Sequence, residues 1–552
     1  MLYFGKNFVN SEFYGNFAAF MSKIITKSCN VGLSVLVGIV IFLFWYVQYP
    51  HALSYQEQYQ LFLWTSDYFI ERISLPGGLA DWLGEFIVQF NYIEWLGALL
   101  LALLFVALQR LTARLLPNRL WWLSALPVLF VWWLMGDINV LLSFVVAIVL
   151  ALGVALIRAV DQTTPGPSYL GGENSWGDCP SYSGGENSWG DCPSYLGGEI
   201  LVIPIAYWLI GPAVWVYVLV RVIQIGWKHL WTAGWLVAVQ LVVYAWFLPQ
   251  WPLQQAMTGL NYYRVPLHYP QLNGYDKDMY ELIRLDYLVR NERWDEIVKR
   301  AGEYQVKTPF WCNCVNLALA EKRLLADRMF DFYQSGADAL IMPRTRDLTS
   351  MLPSAEAFWR LGMVNSAQRY MFDTQESILN GRKSGRCTKR IAECMIVNGH
   401  YKTAEKQLDL LKKTLFYRSW ADSVGLQIRQ SDGGELQIRH NGVGHNLEEK
   451  RKLRYKENFL YSYDEIDKMF GLLFMNNKEN KMALDYFMSQ MLLNGNLQGF
   501  QQYMGAVQQY GGYRQMPLGY QDVMRCIQMQ GRVPDSPYAK YAKRMIEGRN
   551  AK

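Results

Sequence analysis

The chain has 552 residues, of which 51% are apolar, 15% aromatic and only 18% charged, against about 25% charged in an ordinary soluble domain. Its net charge of +6 at pH 7 is small for this length, and no short stretch dense in Lys and Arg stands out, so a nucleic-acid partner is not expected. Eight Cys and six His occur without zinc-finger or other ligand spacing, so neither a disulfide framework nor a metal site is expected.

The mean hydropathy is near zero because two unlike halves cancel. The chain is expected to divide into a cytoplasmic segment at 1–28, a transmembrane domain at 29–250 and a helical soluble domain at 251–552. A hydrocarbon core about 30 Å thick needs about 20 apolar residues in a helix rising about 1.5 Å each. Candidate spans lie at about 31–47, 93–109, 120–134, 140–157, 200–220 and 230–248. The first has a bulky aromatic end and no small-residue cleavage site, so it reads as a retained anchor and not a signal peptide.

Lys6, Lys23 and Lys27 precede the first span and place the N-terminus in the cytoplasm. The loop at 50–91 carries Glu57, Asp67, Glu71, Asp81 and Glu85 against Arg72 alone, so it faces outward. Arg110, Arg114 and Arg119 follow the second span on the inner side. Residues 200–220 break this agreement, because a single crossing leaves Arg221, Lys228 and His229 outside. A break at Gly211-Pro212 would restore the charge rule, but its first piece looks short for a crossing. The aromatic exit from residue 251 favours an extracytoplasmic C-terminal domain.

Residues 168–180 read SYLGGENSWGDCP, residues 181–193 repeat them with one change, and residues 194–199 begin a third copy. This low-complexity loop, set at 165–199, reads as a tolerated expansion, since lengthening a loop costs little entropy. A Cys-bearing binding loop is the functional alternative. A second loop-like insertion is expected at 426–447, where Leu-Gln-Ile-Arg occurs twice.

From Asp276 onward the periodicity is helical, with helices paired around short turns. The turns are Asn291-Glu292-Arg293, Leu361-Gly362 followed by Ala367, Asn398-Gly399-His400, and Asn494-Gly495-Asn496 followed by Phe500. The series Gly399, Tyr401, Ala404 resembles the tetratricopeptide repeat, in which Gly permits the turn and a small Ala lets the second helix pack closely. Arrays of this kind offer a surface to partners; a plain filled bundle is the alternative. The fold class is therefore all-α, a multi-span helical bundle followed by a tetratricopeptide-like array.

Residues 54–90, SYQEQYQLFLWTSDYFIERISLPGGLADWLGEFIVQF, and residues 461–494, YSYDEIDKMFGLLFMNNKENKMALDYFMSQMLLN, together resemble an uncharacterised family of bacterial polytopic membrane proteins with a helical C-terminal domain. The resemblance implies architecture but no activity; the multi-span half is what is expected to fix the chain in the bacterial cytoplasmic membrane. The repeat at 168–199 and the stretch at 426–447 depart from it.

The best candidate site is the acidic outward loop. Asp67 and Glu71 are four residues apart, as are Asp81 and Glu85, so each pair shares a helical face. Such carboxylates could act as acid and base or hold a lipid-phosphate metal. The bland alternative is an interfacial helix with its carboxylates in water and Phe62, Leu63, Trp64, Phe69 and Ile70 among the headgroups. No nucleotide loop, nucleophile elbow or zinc-protease motif is present, so no cofactor is expected. Few ionisable residues lie within the spans, Glu94 and Arg221 being read as reaching the interface, which disfavours a transporter. The functional expectation is a membrane-anchored scaffold of the bacterial envelope that binds lipid and, through its helices, a protein or envelope component. The alternative is an envelope enzyme resembling a lipid-linked-sugar glycosyltransferase, using the acidic loop.

Overall fold

The computed structural model describes residues 28–161, 193–264, 274–343, 349–379, 381–429, 443–455, 465–530, 533 and 535–550. They are helical, with one isolated antiparallel bridge at Val140 and Tyr263. The chain divides into two compact units, Met1–Glu57 with Trp64–Asp276 and Gln58–Leu63 with Lys277–Lys552. The boundary thus falls later than residue 250. Leu141 N donates to Tyr262 O at 2.9 Å and Arg264 N to Asn139 O at 2.8 Å, and these bonds hold the segment beyond residue 250 to the first unit.

The first unit contains α1 (Ser28–Gln48), α2 (Pro50–Glu57), α3 (Ser66–Ile73), α4 (Gly78–Val88), α5 (Glu94–Leu115), α6 (Ala125–Leu134), α7 (Leu142–Asp161), α8 (Pro193–Ile210), α9 (Val214–Ile225), α10 (Trp231–Phe247) and α11 (Leu253–Thr258). Among the described residues, five stretches can by length and composition cross a membrane: Ser28–Gln48, Glu94–Leu115, Leu142–Val160, Gly198–Ile225 and Trp227–Phe247. The span expected at 120–134 is shorter. A 3₁₀ segment, Asn118–Ser124, leads into α6, and the apolar helical stretch Arg119–Leu134 rises only about 24 Å.

The fourth long stretch is bent. Gly211 takes φ +67° within a 3₁₀ turn, Gly211–Ala213, so α9 folds back along α8. Arg221 near the end of α9 lies 3.4 Å from Glu199 near the start of α8. A straight helix would hold those residues about 33 Å apart. α8 also takes in the third repeat copy, expected to be loop. Its apolar continuation from Ile200 extends the helix backwards, since propagation is easier than nucleation. The remainder of the repeat, 162–192, lies outside the described residues.

The helices of this unit run between two ends. At one end Ser34 Oγ donates to Gln109 Oε1 at 2.7 Å, and Gln109 Nε2 donates to Asn30 Oδ1 at 2.9 Å and to Ser124 Oγ at 2.8 Å. This end also holds the Glu199–Arg221 pair, and the Arg158 guanidinium lies against Gly198, where a Cβ would stand 2.0 Å from it. At the other end Gln56 Nε2 donates to Val140 O at 2.9 Å. Gly77 N there donates to Trp208 O at 2.8 Å, beside the bend. The helix backbones meet closely at that end: a Cβ on Gly84 of α4 would lie 2.6 Å from Ser143 Cα of α7. Arg110, Arg114, Arg119, Arg158, Arg221 and Lys228 belong to the first end, which is strongly basic.

The second unit contains α12 (Lys277–Arg290), α13 (Trp294–Glu303), α14 (Pro309–Glu321), α15 (Leu325–Arg328), α16 (Met351–Leu361), α17 (Val364–Glu376), α18 (Gly385–Val397), α19 (Tyr401–Lys412), α20 (Arg418–Arg429), α21 (Val443–Leu453), α22 (Ile466–Asn476), α23 (Lys481–Asn494), α24 (Leu497–Tyr510), α25 (Leu518–Gln528) and α26 (Pro537–Asn550). One turn recurs among the described residues, at four helix pairs with a buried seam residue after it, and at Arg323 (φ +59°, Leu324 N to Leu319 O) without one. A residue of positive φ ends the first helix: Glu292 at +55°, Gly362 at +85°, Gly399 at +80° and Gly495 at +75°. The next backbone N–H then reaches back five residues, Arg293 to Leu288 O, Met363 to Phe358 O, His400 to Met395 O and Asn496 to Met491 O. This is the Schellman closure, which satisfies carbonyls that the ending helix leaves open. Five residues past Glu292, Gly362, Gly399 and Gly495 a buried side chain enters the seam: Ile297, Ala367, Ala404 and Phe500.

α12, α16 and α18 share a buried ionic network. Arg386 makes two bonds to Asp286, at 2.6 and 3.1 Å, and Arg390 makes two to Glu356, at 2.8 and 3.1 Å. Of the insertion expected at 426–447, residues 426–429 finish α20 and α21 begins at Val443, while 430–442 lie outside the described residues.

Candidate functional site

The acidic loop forms a helical hairpin. Thr65 caps α3, its hydroxyl accepting from Tyr68 N at 3.3 Å. Pro76-Gly77-Gly78 turns the chain into α4. Gly77 has φ +82°, and at Gly78 a Cβ would lie 1.9 Å from Arg72 O, so the turn admits only glycine there.

The hairpin separates the four carboxylates. Asp67 and Glu71 are exposed on α3, the Glu71 side chain being 62% accessible. Asp81 and Glu85 are buried, 1% and 0% exposed. They share one face of α4 with Ala80, Gly84 and Val88, which is directed into the unit. The expectation that the loop's carboxylates lie in water therefore holds for one pair and fails for the other. Helical periodicity brings Asp81 and Glu85 onto one face, but only packing decides that this face turns inward.

Arg72, 6% exposed, reaches across from α3. Its Nε donates to Glu85 Oε2 at 3.1 Å and lies 3.9 Å from Asp81 Oδ2. Tyr68 OH also donates to Glu85 Oε2, and Arg72 Nη2 donates to the Tyr68 oxygen at 3.3 Å. Burial alone would lower the Arg72 pKa, but Glu85, Tyr68 and Asp81 outweigh it and hold the guanidinium charged. Burial first, then the Glu85 charge, pushes the Tyr68 phenol well above its ordinary value. Tyr68 therefore remains a donor at physiological pH. Both donors hold Glu85 Oε2, and the carboxylate is buried in the hairpin; the arrangement is that of an ionic knot tying α3 to α4.

The outer face of the hairpin is aromatic. Phe69 meets Trp82 with ring centroids 5.2 Å apart, Trp82 meets Phe86 at 5.9 Å, and Phe86 meets Trp64 at 5.6 Å and Phe90 at 5.5 Å. Trp64, Phe69 and Ile70 are exposed as expected of an interfacial helix, whereas Phe62 is buried as part of the second unit.

A second polar cluster lies at the basic end of the first unit. Glu199 is buried, with Arg221 Nε at 3.4 Å, His229 Nε2 at 3.8 Å and Tyr217 OH donating to its other oxygen. Arg221 is 1% exposed, so it does not reach the interface as a span-end residue would. The signals were present but separate: Glu199 closes a low-complexity repeat, and Gly211-Pro212 marks the bend that brings it to Arg221.

In the second unit Gly399 makes the turn, Ala404 is fully buried, and Tyr401 OH accepts from Arg451 Nη2 at 2.7 Å. Cys312 and Cys314 lie buried in α14. The Cys312 thiol donates to Tyr333 O at 3.3 Å, and burial pushes its pKa up to about 11. Among the described residues no group of three His, Cys, Asp or Glu gathers to hold a metal.

These features define an all-helical protein with five helical stretches suited to a membrane, joined to a unit of paired helices. The chain belongs to DUF6057, a family of unknown function whose model matches residues 25–546. That match contains both stretches on which the resemblance rests, as well as the repeat and the 426–447 segment. No curated protein matches the chain, and no solved structure does.

Proposed function

We propose that this chain is an integral membrane scaffold of the bacterial cell envelope, whose helical array holds a protein or envelope component at the membrane surface. The ionic knot carries the choice between scaffold and enzyme. Of the carboxylates that an acid–base mechanism would use, Asp81 and Glu85 sit buried against Arg72, and Asp67 and Glu71 stand in water.

Membrane insertion is supported by the exposed apolar surface of the helices, including Leu36, Ile39, Leu103, Phe130, Ile205, Leu219 and Ile223, which water would reject and lipid accepts. The bend at Gly211 supports an orientation. With α9 returning along α8 and the short 119–134 helix counted, the chain passes seven times between the two ends. Arg110, Arg114, Arg119, Arg158, Arg221 and Lys228 then share the side of Lys6, Lys23 and Lys27. By the positive-inside rule that side is cytoplasmic, and the array is extracytoplasmic. The fourfold turn, with small residues at Ala367 and Ala404, supports a tetratricopeptide-like array.

Reporters fused after Pro252 and after Lys552 test the orientation; both should be active only outside the cytoplasm. Photo-crosslinkers at exposed Lys406 and Asp422 test the array and should trap one discrete partner in cells. If array positions trap nothing while Asp67→Asn or Asp81→Asn alters envelope composition in well-folded protein, the scaffold reading gives way to the enzyme.

A further inference from the structure

The cluster at the basic end of the first unit has more donors than acceptors. Arg221 is 1% exposed, yet among the described residues its Nε and Nη2 make no hydrogen bond, and neither does the buried Nε of Arg158. Arg221 Nη1 reaches only Gln224 Oε1, at 3.4 Å. Arg221 faces one carboxylate, Glu199, at 3.4 Å, that carboxylate is partly committed to Tyr217, and the Arg158 guanidinium lies against the neighbouring Gly198. A buried cation without full hydrogen bonding is costly, and the cost falls if an anion completes its shell. The planar guanidinium fork matches the oxygens of a phosphate. Basic sites between spanning helices on the cytoplasmic side suit lipid phosphates. Exposed Lys228 and Trp227, which is 84% exposed, follow directly after α9 and extend the same chemistry to the headgroup level.

We propose that Arg158 and Arg221, with His229 beside them and Glu199 as counter-ion, bind the phosphate group of an anionic ligand. The source is either a lipid headgroup or free phosphate. The lipid arm rests on the membrane reading above, which carbonate extraction of membranes tests separately.

The experiment uses full-length chain, purified and delipidated in a neutral detergent, with its unfolding midpoint followed during titration. The probes are dioleoylphosphatidylglycerol, the zwitterionic dioleoylphosphatidylcholine, and inorganic phosphate. The midpoint should rise with phosphatidylglycerol and not with phosphatidylcholine. Arg158→Gln should weaken the apparent affinity about tenfold, the scale of one charge-assisted contact. Glu199→Gln removes the competing carboxylate and should tighten binding. Arg114→Gln, an exposed cation in the last turn of α5, should leave it unchanged. A rise with inorganic phosphate that shows the same variant pattern assigns the ligand to the soluble pool. If no probe raises the midpoint, or if Arg158→Gln responds as the parent does, the proposal is overturned. Arg158 is half-buried and its variant decides the matter even if Glu199→Gln does not fold.

Discussion

Replacing Arg72 by Met removes the cation of the hairpin knot while keeping an unbranched apolar stem. Asp81 and Glu85, both essentially inaccessible, would then face each other without the guanidinium that lies 3.1 Å from one and 3.9 Å from the other. Removing one member of a buried pair costs about 3–5 kcal/mol, most of it from the stranded charge. For a unit of this size the unfolding midpoint should fall by on the order of 10 °C. The double variant Arg72→Met, Glu85→Gln should recover much of that loss, because a neutral amide still accepts the Tyr68 hydroxyl. Asp67→Asn and Glu71→Gln, on the solvent side, should each change stability by less than about 0.5 kcal/mol. The assay is fluorescence-detected size exclusion of detergent-solubilised full-length chain after heating. If Arg72→Met melts with the parent, or if the double variant is worse than the single by a simple sum, the knot is not a coupled ionic cluster.

The repeated turn predicts an order among glycine variants. Gly495→Ala has open space and Gly399→Ala meets nothing nearer than 3.8 Å, so each should cost only the left-handed strain of about 1–2 kcal/mol. Gly362→Ala adds a contact at 2.4 Å with Leu453 O and should cost distinctly more; equal urea midpoints for the three would refute the ranking. Glu356 predicts a pH dependence. Burial alone would raise its pKa, but Arg390, Arg386 and Arg360 outweigh that and hold the carboxyl down to about 2, from an ordinary 4.5. A carboxyl whose pKa is depressed by folding stabilises the protein above its unfolded pKa and loses that contribution as pH falls, here from about 4.5 towards 2. The full contribution is about 3 kcal/mol, so the stability gap between parent and Glu356→Gln should narrow below about pH 4.5. A gap that stays constant to pH 3 would count against the network. Gly84→Val should open the contact between α4 and α7, where even a Cβ would sit 2.6 Å from Ser143 Cα, and limited proteolysis of the first unit should accelerate.

Much of this protein was legible in one dimension. Lipid-length apolar runs at α1, α5, α7 and α10 need no knowledge of neighbours, because the thickness of hydrocarbon and the rise of a helix set them. The paired helices were legible for a similar reason: the turns at Gly362, Gly399 and Gly495 demand a left-handed residue, and glycine meets that demand locally. Asp81 and Glu85 could be placed on one helical face from their spacing. Their burial could not, because the residue that neutralises them sits on another helix and the turn between the two helices decides whether it arrives. Arg221 teaches the same lesson more strongly: read as a span-end cation, it is buried against Glu199, twenty-two residues earlier. What the chain alone determined was periodicity, apolar length and turn chemistry, which are properties of neighbouring residues. The tertiary structure decided which charges meet, because a bend at Gly211 and close packing at Gly84 act between segments that share no local pattern.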